Sequence, residues 1–424
     1  MNQKLYDCYV SILKRELVPA MGCTEPIAIA YAGALARQTL GKMPEHVELI
    51  VSGNIIKNVK SVIVPHTGGR KGLRTAVCAG IAVGNADQKL EVLSDVGEEE
   101  LLTLSRYLET ADVKVGKSDA QSPFDLQVTL TAGEESACVR IIGSHTNVVL
   151  IRKNGETLFS KPFEDTVQPP SEDYLSLTIH DIVDFANKVR IEDVCEVLQR
   201  QIDYNMAIAR RGLSDRYGAG IGKILLRSYG NSVQNRAKAW AAAGSDARMN
   251  GCELPVVINS GSGNQGMTAS IPVIIYARET GVSEEQLYRS LVVSNLVTIR
   301  LKTGIGSLSA YCGATSAGAG AGAGIAYLYG GGEDEVAHTV VNALAINSGM
   351  ICDGAKSSCA AKIASAVEAG LLGLQMNFHD SEFVGGDGIV IKGVENTIDA
   401  VSALARIGMR GTDEEIIRLM TEET

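Results

Sequence analysis

The pattern of apolar residues changes most clearly near residue 180 of this 424-residue chain, and the change limits the folds that it can adopt. Before it lie short β-branched segments in which apolar residues alternate, such as HVELIVSG (46–53) and LQVTLTAG (126–133). After it, apolar residues recur at helical spacing in one segment after another, separated by Gly-rich joints. Alternation is typical of strands, and a period near 3.6 is typical of helices. The sequence therefore predicts an α+β fold.

The helical segments lie on both sides of the strand-rich part. Amphipathic patterns at the N-terminus precede the strands, and paired prolines near residue 169 interrupt the pattern before the helices resume. We predict a mainly helical domain with a smaller α+β domain inserted near the N-terminus. The expected ranges are 1–42 for N-terminal helices of the helical domain, 43–165 for the inserted domain, 166–180 for a linker and 181–424 for the rest of the helical domain.

Within the inserted domain the sequence predicts strands and two helices. The expected strands include KSVIVP (60–65) and KLEVL (89–93), and the expected helices span 72–84 and 97–110. Asn154-Gly155, between two apolar runs, is a strong signal for a two-residue hairpin turn. A further short strand is expected at LPVVIN (254–259), inside the helical part.

Charge and composition exclude several classes of protein. The net charge of −10 and the lack of a Lys/Arg cluster argue against nucleic-acid binding. We find neither a signal peptide nor 18 consecutive apolar residues, so we expect a cytoplasmic protein that binds no membrane. Nine scattered cysteines argue against a disulfide framework. With 45 glycines and 5% aromatic residues, the core should depend on close approach of backbones.

Three cysteines in the C-terminal half could share one site. Cys352 and Cys359 are seven residues apart in SGMICDGAKSSC, and Cys312 lies forty residues upstream. On a continuous helix the pair would be about 10 Å apart, so a common metal site requires a turn, which Gly354 allows. Three thiolates could hold three irons of a [4Fe–4S] cluster and leave the fourth iron open. Zinc, or simple burial of three thiols, explains the spacing as well.

Cys23, in AMGCTEPIA (20–28), stands directly before a helix. The positive end of a helix dipole lowers the pKa of a thiol, so Cys23 could be a thiolate that acts as a base or nucleophile. A packed cysteine that merely precedes the helix explains the sequence equally well.

The stretch VVINSGSGNQGMTASIP (256–272) contains a GxGxxG pattern after a short strand. Helices follow it, not a second parallel strand, so we do not interpret it as a dinucleotide site. Backbone N–H groups of such a turn at a helix N-terminus can bind a carboxylate. The loop adds side-chain donors at Ser260, Ser262, Asn264 and Gln265. A second Gly-rich loop, PHTGGRKG (65–72), offers His66 as a further contact for a carboxylate, although a solvated loop is the simpler interpretation.

Four motifs, in this order, carry a resemblance to a known family: AMGCTEPIA, INSGSGNQG, SAYCGA and SGMICDGAKSSC. They resemble those of the iron–sulfur L-cysteine desulfidases, which are related to the α chain of the iron–sulfur L-serine dehydratases. The GMxCD…C segment and the Gly-rich loop are shared with the dehydratases, and GCTEP is particular to the desulfidase-like branch. The resemblance runs from residue 20 to about residue 400.

The resemblance implies a reaction and a cofactor. Cys312, Cys352 and Cys359 match the ligands of an open-site [4Fe–4S] cluster, and Cys23 matches the cysteine that acts at the substrate. The implied reaction is β-elimination of L-cysteine to pyruvate, ammonia and hydrogen sulfide without pyridoxal phosphate, in the helical domain. We hypothesise Cys23 as the base, with Lys356 and His66 as lesser candidates. The substrate-binding candidates are Thr24, Glu25, His66, Ser260, Ser262, Asn264 and Gln265.

Other functions stay open at this point. An L-serine or L-threonine dehydratase would share the motifs, and a protein that had lost its cluster could bind an amino acid without turning it over. A zinc-stabilised structural protein is a more distant alternative. The expected partner is a small amino acid, not a nucleic acid or a membrane; a homodimer is left open.

Overall fold

The structure, a computed structural model, describes residues 1–163, 171–306 and 308–422. Helices dominate it, and most of the strands lie between α2 and α6. The α-helices are α1 (Gln3–Glu16), α2 (Thr24–Leu40), α3 (Gly53–Val59), α4 (Gly72–Val83), α5 (Glu98–Thr110), α6 (Glu172–Leu175), α7 (Ile179–Lys188), α8 (Cys195–Ser214), α9 (Ile221–Tyr229), α10 (Val233–Met249), α11 (Gly263–Thr280), α12 (Glu284–Ile305), α13 (Gly313–Leu328), α14 (Glu333–Ile346), α15 (Cys359–Phe378), α16 (Val394–Ala403) and α17 (Arg410–Glu422). The strands are β1 (Pro19–Met21), β2 (His46–Val51), β3 (Asp112–Lys117), β4 (Asp125–Ala132), β5 (Glu135–Ile142), β6 (Val148–Lys153), β7 (Glu156–Ser160) and β8 (Pro255–Val257).

The strands form two sheets, and the α+β class predicted from the sequence is confirmed. Six strands pair in the order β3-β2-β4-β5-β6-β7, with β2 and β3 parallel and the other neighbours antiparallel. The hairpin between β6 and β7 turns at Asn154 and Gly155, whose φ angles of 52° and 83° suit the predicted turn. The second sheet pairs β1 with β8, so a segment before α2 lies against the segment before α11.

The large sheet buries one face under helices. Along β4, Leu126, Val128 and Leu130 are fully buried, as alternation with period two requires. Helix α2 is buried on nearly every side, and it contacts β4, β5 and α4. A Cβ atom on Gly80 of α4 would come within 1.9 Å of the Ala30 carbonyl oxygen in α2. The two helices therefore pack at backbone distance.

Two predicted strands are wrong. Residues 60–65 follow α3, and only Ile63 pairs with another segment, as an isolated bridge to Lys71. Residues 89–93 overlap a 3₁₀ helix (Ala86–Glu91) that begins where the Asn85 side chain accepts a hydrogen bond from a backbone N–H. Both stretches contain buried Val side chains, and 89–93 also contains buried Leu side chains. Their apolar runs reflect burial, and turn chemistry outweighed β propensity.

Helix α13 lies at the centre of the helical part, in contact with α11, α12, α14 and α15. Its glycines face two neighbours: Gly318 and Gly322 lie against α15, while Gly320 and Gly324 lie against α12. A Cβ atom on Gly318 would come within 2.2 Å of the carbonyl oxygen of Ala366. The close backbone packing expected from the glycine content is thus confirmed.

The ranges proposed for the domains stay a prediction, and residues 166–170 of the predicted linker lie outside the described residues. The rest of that linker contains α6 and the start of α7. Within the described part of the chain, no helix combines the length and apolar character needed to cross a membrane.

Candidate active site

A cavity of about 710 Å³ lies where the large sheet meets the helical part. One wall is the loop 143–147 between β5 and β6, and another is the segment that contains Cys23. The Gly-rich loop before α11, the end of α12 and the segment 352–363 complete it. The α+β part of the chain therefore contributes directly to the cavity.

Two backbone hydrogen bonds bring Cys312 and Cys352 together. The Cys312 N–H donates to the carbonyl oxygen of Met350 at 2.9 Å, and the Cys352 N–H donates to that of Ala310 at 2.6 Å. This short antiparallel pairing places the two cysteines side by side, and the Cys312 thiol donates a hydrogen bond to the sulfur of Cys352, with both cysteines free. Backbone pairing thus brings together two cysteines that are forty residues apart in the sequence.

The turn expected between Cys352 and Cys359 is present. Gly354 has a φ of 93°, which L side chains rarely adopt, and a Cβ atom there would come within 2.2 Å of the Lys57 carbonyl oxygen. Helix α15 begins only at Cys359, whose Sγ lies 3.7 Å from the Gly354 carbonyl oxygen. Cys312, Cys352 and Cys359 all line the cavity, and we call them the three-cysteine wall.

The members of this wall differ in their acidity. The hydrogen bond from Cys312 lowers the pKa of Cys352 to about 6, against the effect of burial and with help from Lys57 and Lys362. The same hydrogen bond and burial raise the pKa of Cys312 well above its usual value. Burial likewise raises the pKa of Cys359. The pair therefore shares one proton, which leaves one sulfur ready to act as a ligand.

Three lysines face the three-cysteine wall. Lys57, whose side chain is 1% exposed, pairs with Asp413 of α17, and Lys362 pairs with Asp353. Lys302 is buried and makes no hydrogen bond or ion pair with a described residue. Burial lowers the pKa of Lys302 to about 8, while the thiols of Cys352 and Cys312 oppose that shift. Excess positive charge thus surrounds the thiols.

These residues fit an iron–sulfur cluster better than a single ion. Thiolates are the usual ligands of such clusters, and the lysines offset the negative charge that bound thiolates carry. In the described part of the chain no group of three His, Cys, Asp or Glu side chains converges closely enough for one metal ion. In a cluster each thiolate binds its own iron, so the sulfurs need not converge on one point.

Cys23, directly before α2, is buried and donates a hydrogen bond to a Glu25 carboxylate oxygen at 3.0 Å. Glu25 also accepts hydrogen bonds from Asn58 and Thr24. Burial and the charge of Glu25 raise the pKa of Cys23 well above its usual value. The pKa shift is therefore opposite in direction to the one predicted from the helix dipole, because burial outweighs the dipole.

The carboxyl of Glu25 is the ionised member of this pair. Burial alone would raise its pKa, but His145, the hydrogen bond from Cys23 and the guanidinium of Arg248 lower it below its usual value. The carboxylate accepts the hydrogen bond of the Cys23 thiol, and the opposite pKa shifts of the two groups favour the proton on sulfur.

The Gly-rich loop before α11 presents unpaired polar atoms to the cavity. The side chain of Ser262, the residue before the helix, makes no capping hydrogen bond. Both Asn264 Oδ1 and Gln265 Oε1 are buried without a partner among the described residues. Gly261 lies against His145, since a Cβ atom there would come within 3.2 Å of its ring carbon. Such atoms in a cavity are typical of a binding site.

Most of the residues singled out in the sequence come together here. The residues on the cavity wall are Cys23, Glu25, Ser260, Ser262, Asn264, Gln265, Cys312, Cys352 and Cys359. Thr24 lies directly behind, where its hydroxyl donates to the Gly261 carbonyl oxygen at 3.0 Å. His66 and Lys356 are not on the wall: His66 lies 3.7 Å from Glu253, and the ammonium of Lys356 pairs with Asp353.

Four residues of the site carry no recognisable signal in the sequence. Arg248 and Lys302 each lie in a helix and resemble any surface cation, yet both are buried at the cavity. His145 is in a hairpin loop, and Asn58 is in the short helix α3. Only the GSHT sequence around His145, a histidine in a Gly-containing loop, could have drawn attention to one of them.

Comparison with known proteins connects this site to a family. A family model described as the serine dehydratase alpha chain matches residues 87–418. A UPF0597 protein of Desulfitobacterium hafniense (strain Y51) is 56% identical over 422 residues, covering 100% of this chain and 98% of the relative. UPF0597 proteins of Lachnoclostridium phytofermentans and Treponema denticola are 50% and 45% identical, covering 98% and 100% of this chain and 100% of each relative. The chain therefore belongs to the serine dehydratase alpha chain family.

Proposed function

We propose that this protein is an iron–sulfur lyase that converts L-cysteine and water to pyruvate, ammonia and hydrogen sulfide. Membership of the serine dehydratase alpha chain family supports β-elimination from an amino acid. The GCTEP motif, which resembles that of the desulfidases, favours cysteine as the substrate. The observation that carries the proposal is that Cys23 and the three-cysteine wall line the same cavity.

In this proposal Cys312, Cys352 and Cys359 hold a [4Fe–4S] cluster. When bound, a cluster with one open iron supplies a Lewis acid that assists a soft sulfur leaving group. The cations of Lys57, Lys302 and Lys362 compensate the charge of the thiolates. Pyridoxal phosphate has no part in the proposed reaction.

Cys23 is the proposed base. In its thiolate form Cys23 removes the proton from the substrate Cα. The thiol releases its own proton to solvent beforehand, because the lowered pKa of Glu25 makes that carboxylate a poor proton acceptor. The electrons of the Cα–H bond form the Cα=Cβ double bond, and the electrons of the Cβ–S bond leave with sulfur as hydrosulfide. The resulting aminoacrylate tautomerises to an imine, and water hydrolyses it to pyruvate and ammonia.

The other residues predicted from the sequence have different roles in this proposal. Ser260, Ser262, Asn264 and Gln265 are the proposed substrate contacts, because their loop faces the cavity. Thr24 positions Glu25 and Gly261 through its hydroxyl. His66 and Lys356 are secondary candidates that would need a shift to reach a substrate.

The deciding experiment is anaerobic reconstitution with iron and sulfide, followed by L-cysteine, with bound iron, sulfide and pyruvate measured together. We expect about one sulfide per pyruvate, with both products absent in Cys352→Ala because that variant loses a cluster ligand. Cys195→Ala is the matched control, since Cys195 lies at the start of α8 and away from the cavity. An active Cys352→Ala variant, or a wild type that binds no iron and releases neither product, would contradict the proposal.

The role of Cys23 is tested separately. Cys23→Ser should retain iron but lose turnover by about 100-fold or more, because a hydroxyl is a far weaker acid than a thiol. Full turnover with an intact cluster would exclude Cys23 as the base.

Dehydration of L-serine or L-threonine is the second candidate, favoured by the description of the family. The leaving group is then hydroxide, and pyruvate or 2-oxobutyrate appears without sulfide. The ratio of kcat/KM for L-cysteine to that for L-serine separates the two reactions. An iron-free protein that binds L-cysteine without turnover would instead be an amino-acid-binding protein.

A further inference from the structure

Arg248 is buried at the cavity, and no hydrogen bond or ion pair joins its side chain to a residue in the described part of the chain. Its side chain is 2% exposed, and its Nε atom makes no hydrogen bond to any described residue. Removing a guanidinium from water without pairing it costs several kcal/mol, so buried arginines are almost always paired. The C-terminal end of α10, where Arg248 lies, favours a cation but provides no such partner.

The nearest acid does not supply this partner. Arg248 helps to lower the pKa of Glu25, but the Glu25 oxygens accept their hydrogen bonds from Cys23, Thr24 and Asn58. No ion pair joins Glu25 to Arg248 within the described residues. The guanidinium therefore has capacity for an anion that enters the cavity.

The first turn of α11 packs against this guanidinium. A Cβ atom on Gly263 would come within 2.4 Å of Arg248 Nε, so only glycine leaves room for it. Gly263 is the first residue of α11, where backbone N–H groups have no partner within the helix. A cation beside a helix N-terminus is an anion site with two independent contributions.

Unpaired acceptors lie in the same turn. Asn264 Oδ1 and Gln265 Oε1 are buried without hydrogen bonds, and both residues line the cavity beside Arg248. An anion site next to two free acceptors matches a zwitterion that carries a carboxylate and an ammonium group. A simple anion without hydrogen-bond donors, such as sulfate, would leave both acceptors unsatisfied.

We infer that Arg248 and the first turn of α11 bind the α-carboxylate of the amino-acid substrate, while Asn264 and Gln265 accept hydrogen bonds from its ammonium group. The inference rests on the proposed function only in taking the ligand to be an amino acid. The positive charge of Arg248 acts to lower the pKa of both Cys23 and Glu25, and all three residues line the cavity. A carboxylate held by Arg248 therefore brings Cα toward the proposed base.

The test is a binding measurement that involves no turnover. The whole chain is titrated anaerobically with L-alanine, which has no leaving group, and with L-alaninamide, which has no carboxylate. We expect wild type to bind L-alanine about 10- to 100-fold more tightly than the amide, as hydrogen bonds to a charged group imply. In Arg248→Gln this preference should disappear.

Two further variants complete the test. Gly263→Ala keeps the charge but displaces the guanidinium, so it should reduce L-alanine affinity in the same direction. Arg236→Gln is the matched control, because Arg236 lies on the same helix and pairs with Glu279 away from the cavity. If Arg248→Gln does not fold, Gly263→Ala decides the question.

Two results would overturn the inference: no binding of L-alanine by wild type, or an undiminished preference in Arg248→Gln and Gly263→Ala. The failure of the proposed lyase reaction would look different. Selective binding of L-alanine without release of sulfide or pyruvate leaves Arg248 as the carboxylate site and removes only the reaction. Turnover without any dependence on Arg248 removes only the carboxylate site.

Discussion

Two Gly-rich stretches of this protein use glycine for different purposes. In GAGAGAG (318–324) of α13, the glycines let α12 and α15 approach at backbone distance. In SGSGNQG (260–266), Gly263 and Gly266 also make room for neighbours, but the side-chain oxygens of Asn264 and Gln265 have no hydrogen-bond partner among the described residues. Glycine content alone does not distinguish a packing segment from a functional one. Unpaired polar atoms at a cavity make that distinction.

The same contrast holds for two buried glutamines. Gln201 exchanges two hydrogen bonds with Asn295, at 3.0 and 2.8 Å, and both residues are fully buried. Gln265 is nearly as buried, yet its Oε1 atom has no hydrogen-bond partner in the part of the chain that the structure describes. An unsatisfied buried amide costs stability, so its presence at the cavity indicates a ligand.

The largest expected effect is on packing. Gly318→Val should lower the free energy of unfolding by at least about 3 kcal/mol, because the side chain meets the backbone of α15. Urea denaturation followed by circular dichroism measures this change. The control is Gly411→Ala in α17, where nothing lies within 4 Å of the added Cβ, and stability should change by less than about 1 kcal/mol. Equal stability of the two variants would contradict the close packing of α13.

Substitution of the two glutamines gives the sharpest contrast between a residue that packs and a residue that contacts substrate. Gln201→Met should cost about 1–3 kcal/mol of stability, because Asn295 loses two of its buried hydrogen bonds, and the folded fraction should keep its activity. Gln265→Met should leave stability within about 1 kcal/mol of wild type and lower kcat/KM about 10- to 100-fold. Thermal unfolding and steady-state kinetics on both variants check this. If Gln265→Met kept full activity, Gln265 would not contact substrate.

Asp246 provides a smaller effect that depends on pH. Burial raises its pKa to about 6, although backbone N–H groups of the 219–222 segment oppose the shift. Because the folded protein prefers the neutral form, the stabilising contribution is complete below about pH 4 and is lost as the pH rises through 6. Asp246→Asn should therefore be more stable than wild type at pH 7.5, by up to about 3 kcal/mol, and equal to it near pH 4.

Asp246→Asn also tests the inference that unpaired buried polar atoms indicate function only where they line the cavity. The Oδ1 atom of Asp246 is buried without a partner, but Asp246 is not on the cavity wall. We expect unchanged kcat and KM in Asp246→Asn at every pH tested. A loss of activity would mean that the cavity alone does not define the functional residues.

The sequence predicted much of the fold and part of the site. Helical periodicity identified most helices after residue 180, and Asn154-Gly155 identified the β6–β7 hairpin. Gly354 predicted the turn that brings Cys359 back toward Cys352. These succeeded because each depends on local chemistry that neighbouring residues cannot override. The strands at 60–65 and 89–93 failed because a short apolar run indicates burial without specifying its geometry.

What the sequence by itself determined is the class of the fold, the identity of the thiols and the polar loop before α11. What only the tertiary structure decided is which groups lack partners. Arg248 is separated by 15 residues of sequence from Gly263, yet the space for its guanidinium exists only because α10 and α11 pack together. Burial and Glu25 raise the pKa of Cys23, and His145 reaches the cavity from the large sheet. The physical reason is that burial and pairing are properties of neighbours in space, which no local sequence pattern encodes.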